Sequence, residues 1–306
     1  MLQGIIDIGS NTIRMAIYRI EGGQLTLLFK RKHAVGLAAF VKDGVMSKKG
    51  IDKAVEVLNE YREFLAGFRI TNIMIFTTAA LRNATNGKEA VAEISERTKL
   101  NVRIISGDEE AAYGFAGAIH DINAPGGVIV DIGGASCELV AFSGKTIEQK
   151  ISLPFGSLSL HEKYCEDILP SSAELADLRC DVREMLAKAE FVRDDAHKNA
   201  AVVCGIGGTF KGAAALAGAI FGKGADNRTV TLEELTALTG KFCRDKALTE
   251  EDVVMLLSAV PDRLQTIVTG MAAAAEVVSF LGANAVLYSD SGVREGYIYD
   301  EIIKDV

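Results

Sequence analysis

The same short pattern occurs twice in this chain. Ile6-Asp7-Ile8-Gly9-Ser10-Asn11-Thr12-Ile13-Arg14-Met15 returns as Val130-Asp131-Ile132-Gly133-Gly134-Ala135-Ser136-Cys137-Glu138-Leu139, so that Asp131 matches Asp7, Gly133 matches Gly9 and Ser136 matches Thr12. Each copy is an apolar run that ends on Asp and Gly and resumes as a second apolar run after a polar gap, which predicts strand, loop, strand. Glycine lets backbone N–H groups approach an anion closely, so each loop suits a phosphate. The repeat distance, 131 minus 7 or 124 residues, is far too long for a solenoid. It predicts a duplicated lobe, with a ligand held in the cleft between two similar loops.

The flanking segments extend this reading. Leu25-Thr26-Leu27-Leu28-Phe29 follows a Gly22-Gly23 turn as the return strand of a hairpin, and Ser47 caps a helix carrying Ile51, Ala54, Leu58, Tyr61 and Leu65 at helical spacing. Ile73 to Thr78 and Val102 to Ile105 predict further strands, and Ser106-Gly107-Asp108 a helix cap. Strands alternate with helices, which makes the fold α/β. From Gly127 the programme restarts, and the strand Ala200 to Cys204 again ends on glycines, Gly205-Ile206-Gly207-Gly208-Thr209. The expected division is a first lobe over residues 1–123, joined by a C-terminal helix over 292–306, and a second lobe over 124–291.

Composition narrows the function classes. A chain of 306 residues, 49% apolar and 24% charged with only four prolines, has the make-up of two folded domains. No apolar run reaches the ~18 to 20 residues of a membrane span. The chain enters a strand at once, with no basic and apolar leader, so a cytoplasmic protein is expected. Five cysteines without a C-x-x-C pair and four scattered histidines argue against a zinc site or a disulfide framework. A net charge of −8 argues against a broad nucleic-acid surface but leaves room for a small polyanion in a local pocket.

Six segments together resemble the exopolyphosphatase and guanosine pentaphosphate phosphohydrolase family, within the superfamily of actin, sugar kinases and heat-shock chaperone ATPases. They are Asp7 to Thr12, Thr77 to Ala84, Ile105 to Ala111, Asp131 to Glu138, Gly205 to Thr209 and Ser291 to Gly296. The resemblance implies duplicated ribonuclease-H-like lobes with a cleft between them, in the short two-domain form. It departs from the family at Ala135, where a third glycine is usual, at Cys137 in place of Thr, and at Ser159, where many members carry Arg. A Cβ at Ala135 narrows the approach of phosphate to the backbone, and Ser159 removes one bidentate donor.

Phosphoanhydride hydrolysis needs donors for charged phosphates, a divalent cation, and a base that orients water. Phosphate is expected at Ser10, Asn11 and Thr12, beside Asp7, and at Gly133, Gly134, Ala135 and Ser136. Asp131 and Glu138 flank the second loop with the hard oxygens that suit Mg²⁺. Glu109 and Glu110 sit about 100° apart on a helix, so one of them faces the site squarely. The resemblance assigns the base to Glu110. It also gives Arg82 a phosphate, and Gly207, Gly208 and Thr209 a third phosphate or nucleotide contact. Cys137 reads as a packing residue. The expected activity is Mg²⁺-dependent release of terminal phosphate from inorganic polyphosphate, with guanosine pentaphosphate as a further substrate and a homodimer as one possible assembly. The alternatives are a sensor that binds an alarmone or nucleotide without turnover, and a superfamily kinase acting on a small molecule.

Overall fold

The computed structural model describes residues 1–191 and 202–304. By internal packing the chain separates into two units, Met1–Glu110 with the C-terminal turn from Glu301, and Ala111–Asp300. Sequence spacing puts the boundary at 123/124 instead. It falls earlier because the helix Gly107–Ala118 gives its first residues to unit 1 and the rest to unit 2.

Unit 1 is a five-stranded mixed sheet in the order β3-β2-β1-β6-β7. Strands β1 (Leu2–Ile8), β2 (Thr12–Glu21) and β3 (Gln24–Ala34) form an antiparallel meander. A two-strand ladder, β4 (Val41–Lys42) with β5 (Val45–Met46), stands apart from the sheet, and β6 (Ile73–Thr77) and β7 (Arg103–Ile104) then continue it in parallel. Six of the seven β1 residues are buried, as expected of a central strand covered on both faces. The helix Lys48–Gly67 starts at Ser47, whose Oγ accepts from the Gly50 N–H, and it buries Ile51, Ala54, Leu58, Tyr61 and Leu65. These close a core with Ile6, Ile8, Ile13, Met15 and Ile75.

Unit 2 repeats the plan in a six-stranded sheet, β10-β9-β8-β11-β13-β12. Here β8 (Gly126–Ile132), β9 (Cys137–Ser143) and β10 (Thr146–Leu153) form the meander. Strands β11 (Val202–Ile206) and β13 (Ala285–Tyr288) follow in parallel, and β12 (Thr229–Thr231) closes the edge in antiparallel. Residues from Leu232 to Phe280 are largely helix, and the three-residue β12 ahead of them escapes the sequence, because three residues carry no readable alternation. Ala200 and Ala201, placed in a strand by the sequence, lie outside the described residues, as do the last two residues of the expected C-terminal helix.

The two sheets share one topology, a meander extended by parallel strands from its first strand, which makes both lobes ribonuclease-H-like. The helix Val293–Ile298 packs on the second half of Gly107–Ala118 through glycine. A Cβ on Gly117 would enter the Gly292 carbonyl and one on Gly296 the Tyr113 carbonyl, while Tyr113 meets Tyr297 edge-on at 4.8 Å.

Candidate active site

The two loops of the sequence repeat share the same turn and the same threonine brace. In unit 1 the Gly9 N–H donates to the Thr12 carbonyl at 3.1 Å, and in unit 2 the Gly133 N–H donates to the Ser136 carbonyl at 3.0 Å. The carbonyl ahead of each glycine is held by a threonine hydroxyl, Thr77 Oγ1 to Ile8 at 3.0 Å and Thr209 Oγ1 to Ile132 at 2.9 Å. Two further carbonyls in each loop are held from behind. Val35 and Gly36 donate to Asn11 and Ala38 to Ser10, whereas Ser157 donates to Gly133, and Leu158 and Ser159 donate to Gly134, over 2.8–3.0 Å. Each loop is thus pinned by its oxygens. Among the described residues no backbone carbonyl outside the strand ladders takes the N–H groups of Gly134, Ala135 and Ser136, nor those of Ser10 and Asn11. Such a run of open N–H groups is an anion cradle. The Gly133 N–H, assigned to phosphate by the sequence reading, is instead spent inside the turn.

Two glycines make the second loop possible. Gly156 backs onto it so closely that a Cβ would lie 2.5 Å from the Ala135 nitrogen and the Gly134 carbon. Gly207, at φ 81°, lies where a Cβ would meet Asp131 Oδ1 at 2.7 Å, so its absence lets the carboxylate rest at the start of the helix Gly207–Ile220. Ser159, where the family pattern has Arg, is a capping residue: its Oγ accepts from the Gly156 N–H at 2.9 Å ahead of the helix Ser157–Tyr164.

Asp131 and Glu138 are direct cross-strand partners in the β8–β9 ladder, so both side chains leave the same face of the sheet. Glu138 is buried, and its Oε1 accepts from Ser152 Oγ at 2.8 Å. Like charges set directly opposite are unfavourable unless a cation sits between them. Among the described residues no set of three or more His, Cys, Asp or Glu side chains is gathered around one point. A pair of carboxylates is nevertheless what Mg²⁺ takes from a protein when substrate oxygens and water complete its shell, and this donor set fits it. Beside this pair the Cys137 thiol is pushed far up by burial, then by Glu138 and Asp131, which leaves it inert.

In unit 1 the position matching Glu138 is Arg14. It is the cross-strand partner of Asp7 and forms an ion pair with it at 3.2 Å. Glu110 lies at the start of Gly107–Ala118. Its neighbour Glu109 is consumed by the cap: the carboxylate accepts from the Ser106 N–H at 2.8 Å, Ser106 Oγ accepts from the Glu109 N–H at 3.1 Å, and Arg103 pairs with the outer oxygen. Glu110 is buried, and its Oε2 accepts from Arg82 Nη1 at 2.6 Å. Arg82, at the end of the short helix Ala79–Arg82, also donates to the Ile105 carbonyl at 3.3 Å. Burial pushes the Glu110 carboxyl above its usual range, Arg82 opposes this, and the charge of Asp7 adds to it.

Arg82→Gln is therefore expected to raise the Glu110 pKa further. A base must be ionised to act, so activity is lost as pH falls through that pKa. The acid limb of the kcat/KM profile should move to higher pH by about one unit or more. A limb that stays in place would show that Arg82 does not govern Glu110.

The structure thus gathers Asp7, Arg82 and Glu110 in unit 1, with Ser10, Asn11 and Thr12 in the loop after Asp7, and gathers Asp131, Gly133 to Ser136, Glu138 and Gly207 to Thr209 in unit 2. Thr209 serves as a brace for the loop. Two partners have no signal in the sequence, Ser152 on Glu138 and Arg263, whose guanidinium lies directly over Gly208; Thr77 falls inside a quoted segment, but its hold on the first loop is not readable there.

The model of the Ppx/GppA phosphatase family matches residues 16–305. A Haemophilus influenzae protein called "Putative exopolyphosphatase" is 29% identical over 297 residues, which is 96% of this chain and 89% of that protein. Among solved structures, the Aquifex aeolicus member of the Ppx/GppA family superposes with a TM-score of 0.78 at 24% identity, covering 100% of this chain and 98% of that one. An exopolyphosphatase from Cytophaga hutchinsonii superposes with a TM-score of 0.83 at 21% identity, covering 99% and 98%. With a family match over nearly its whole length, this chain belongs to the Ppx/GppA phosphatase family and is a phosphoanhydride hydrolase.

Proposed function

We propose that this protein releases the terminal phosphate of inorganic polyphosphate in a Mg²⁺-dependent hydrolysis, and that guanosine pentaphosphate is a further substrate. The observation that carries this reading is the buried Glu110, raised in pKa and held at 2.6 Å by Arg82 while Glu109 is committed to the helix cap. A carboxylate set apart in this way suits a general base near neutral pH.

Glu110 takes a proton from water, the water oxygen bonds to the terminal phosphorus, and the bridging P–O bond breaks. The electron pair of that bond leaves with the shortened chain. In the unit that carries Glu110, the N–H groups of Ser10, Asn11 and Thr12 hold phosphate oxygens, Arg82 both positions the base and offers charge to a phosphate, and in unit 2 the N–H groups of Gly134, Ala135 and Ser136 are the corresponding phosphate donors. Asp131 and Glu138 would hold Mg²⁺, which neutralises charge on phosphate oxygens when bound. The family match and the relatives' names support the substrate class, since those names refer to exopolyphosphatases.

Phosphate release from long-chain polyphosphate, guanosine pentaphosphate and ATP, measured side by side, tests the reading. Release from polyphosphate that EDTA abolishes and Mg²⁺ restores is expected. Release that survives exhaustive chelation would remove the metal role of Asp131 and Glu138. Binding without release from any of the three would make the protein a sensor.

A further inference from the structure

In the helix Ile267–Phe280 the one polar side chain ahead of Glu276 is Thr269, and it is fully buried. A buried hydroxyl is costly unless it is hydrogen-bonded. Threonine inside a helix can satisfy itself on its own backbone, and Thr269 Oγ1 lies 3.1 Å from the Thr266 carbonyl. The Ser157 carbonyl, on another helix, is nearer at 2.7 Å. The two helices come this close because residue 270 is glycine: a Cβ there would lie 2.8 Å from Thr209 Cγ2 and 3.2 Å from Ser157 Cβ. Thr209 and Ser157 are the two side chains that brace the second loop, through the Ile132 and Gly133 carbonyls. One helix end thus backs both braces.

From Ser157 the bonds run on to the loop through peptide units. The Ser157 carbonyl shares its peptide plane with the Leu158 N–H, which donates to the Gly134 carbonyl at 2.9 Å. The Gly134 carbonyl in turn shares its plane with the Ala135 N–H, one of the open donors of the cradle. A hydroxyl, two peptide units and an N–H therefore stand in series. Hydrogen bonds in such a chain polarise one another, so each strengthens the next. The rigid plane also passes on direction, because fixing a carbonyl fixes the N–H on its far side. Ala135 is where the family pattern has glycine, and its Cβ narrows the directions open to a phosphate, so the aim of this N–H matters the more.

We infer that Thr269 is a positioning residue for the phosphate cradle of unit 2, which aims and polarises the Ala135 N–H through the Ser157–Leu158 and Gly134–Ala135 peptides. This role rests on the proposed function, which reads the second loop as a phosphate site, and deepens it by naming what holds that loop to its task.

Inorganic phosphate is the probe, read as a competitive inhibitor and through the amide resonances of Gly134, Ala135 and Ser136, with a melting curve for each protein. Thr269→Val keeps the branched shape and removes the hydroxyl, whereas Thr269→Ser keeps the hydroxyl and removes the methyl. In Thr269→Val the Ala135 amide nitrogen and proton resonances should move upfield, and phosphate should bind about three- to tenfold more weakly, up to the worth of one neutral hydrogen bond. Thr269→Ser should restore both readouts while melting lower than wild type, since it loses a buried methyl. Equal loss of phosphate affinity in the two variants would make Thr269 a packing residue and overturn the inference. Wild-type phosphate affinity in Thr269→Val, or an Ala135 amide that stays in place there, overturns it as well. Phosphate that inhibits the wild type without perturbing the three loop amides would refute the second loop as a phosphate site. The relay is then judged on the protein without phosphate, and identical Ala135 resonances in wild type and Thr269→Val overturn it separately.

Discussion

Glu110→Gln should lower kcat by about 10²- to 10⁴-fold, the range lost with a general base. The substitution keeps the shape of the side chain, and its amide oxygen can still accept from Arg82, so the loss falls on proton transfer. What it removes is the charge that opposes Arg82 in a buried site, where the pair is held at 2.6 Å. Some loss of thermal stability is therefore expected, and a melting curve belongs beside the kinetics. Glu110→Asp complements it: the charge is retained while the carboxylate retreats by one methylene, so a loss of rate there reports geometry. Near-normal turnover of a folded Glu110→Gln protein would exclude Glu110 as the base. Glu109→Gln is the contrasting variant. Its carboxylate, held below its usual range chiefly by the Ser106 N–H, should affect the start of the helix and spare the chemistry.

The second large effect is expected at a residue with no functional group. In Gly156→Ala the new Cβ would lie 2.5 Å from the Ala135 nitrogen and the Gly134 carbon. Both are backbone atoms of the loop, and neither can swing aside as a side-chain tip does. The loop must therefore move, and with it the N–H groups that hold phosphate. A displacement of about 1 Å in a positioning element costs on the order of 10²-fold in rate, and overpacking costs about 1–3 kcal/mol in stability. The kinetic loss should appear mainly on substrates that use the second loop. Wild-type kcat/KM in Gly156→Ala would mean that the loop does not hold the reacting phosphate.

The duplication was legible because it rests on residue types that few other arrangements tolerate: an Asp at the end of a buried strand, a glycine two places on, and a hydroxyl three further. The α/β order followed from apolar runs alternating with capped helices, and these appear where the spacing put them, as with Ser47 ahead of Lys48–Gly67. What the sequence left open is set by packing. Whether Glu109 or Glu110 faces the site depends on which of them the Ser106 cap captures, and a cap is a three-dimensional choice. The Gly133 N–H looked open to phosphate because nothing in the sequence shows that Ser136 turns back on it. Arg263 is remote in sequence from every loop residue, and no periodicity carries an arginine to Gly208.

The matched positions Arg14 and Glu138 bear on the history of the molecule. Both stand seven residues after the loop aspartate, opposite it in the same kind of ladder, and they carry opposite charge. A homodimer encoded by one gene must place the same side chain at both positions, two anions or two cations. An ancestor of that kind could not have divided these duties between its halves. Two copies in one reading frame can each mutate alone, which is what lets the matched ladders of this chain carry opposite charges at Arg14 and Glu138.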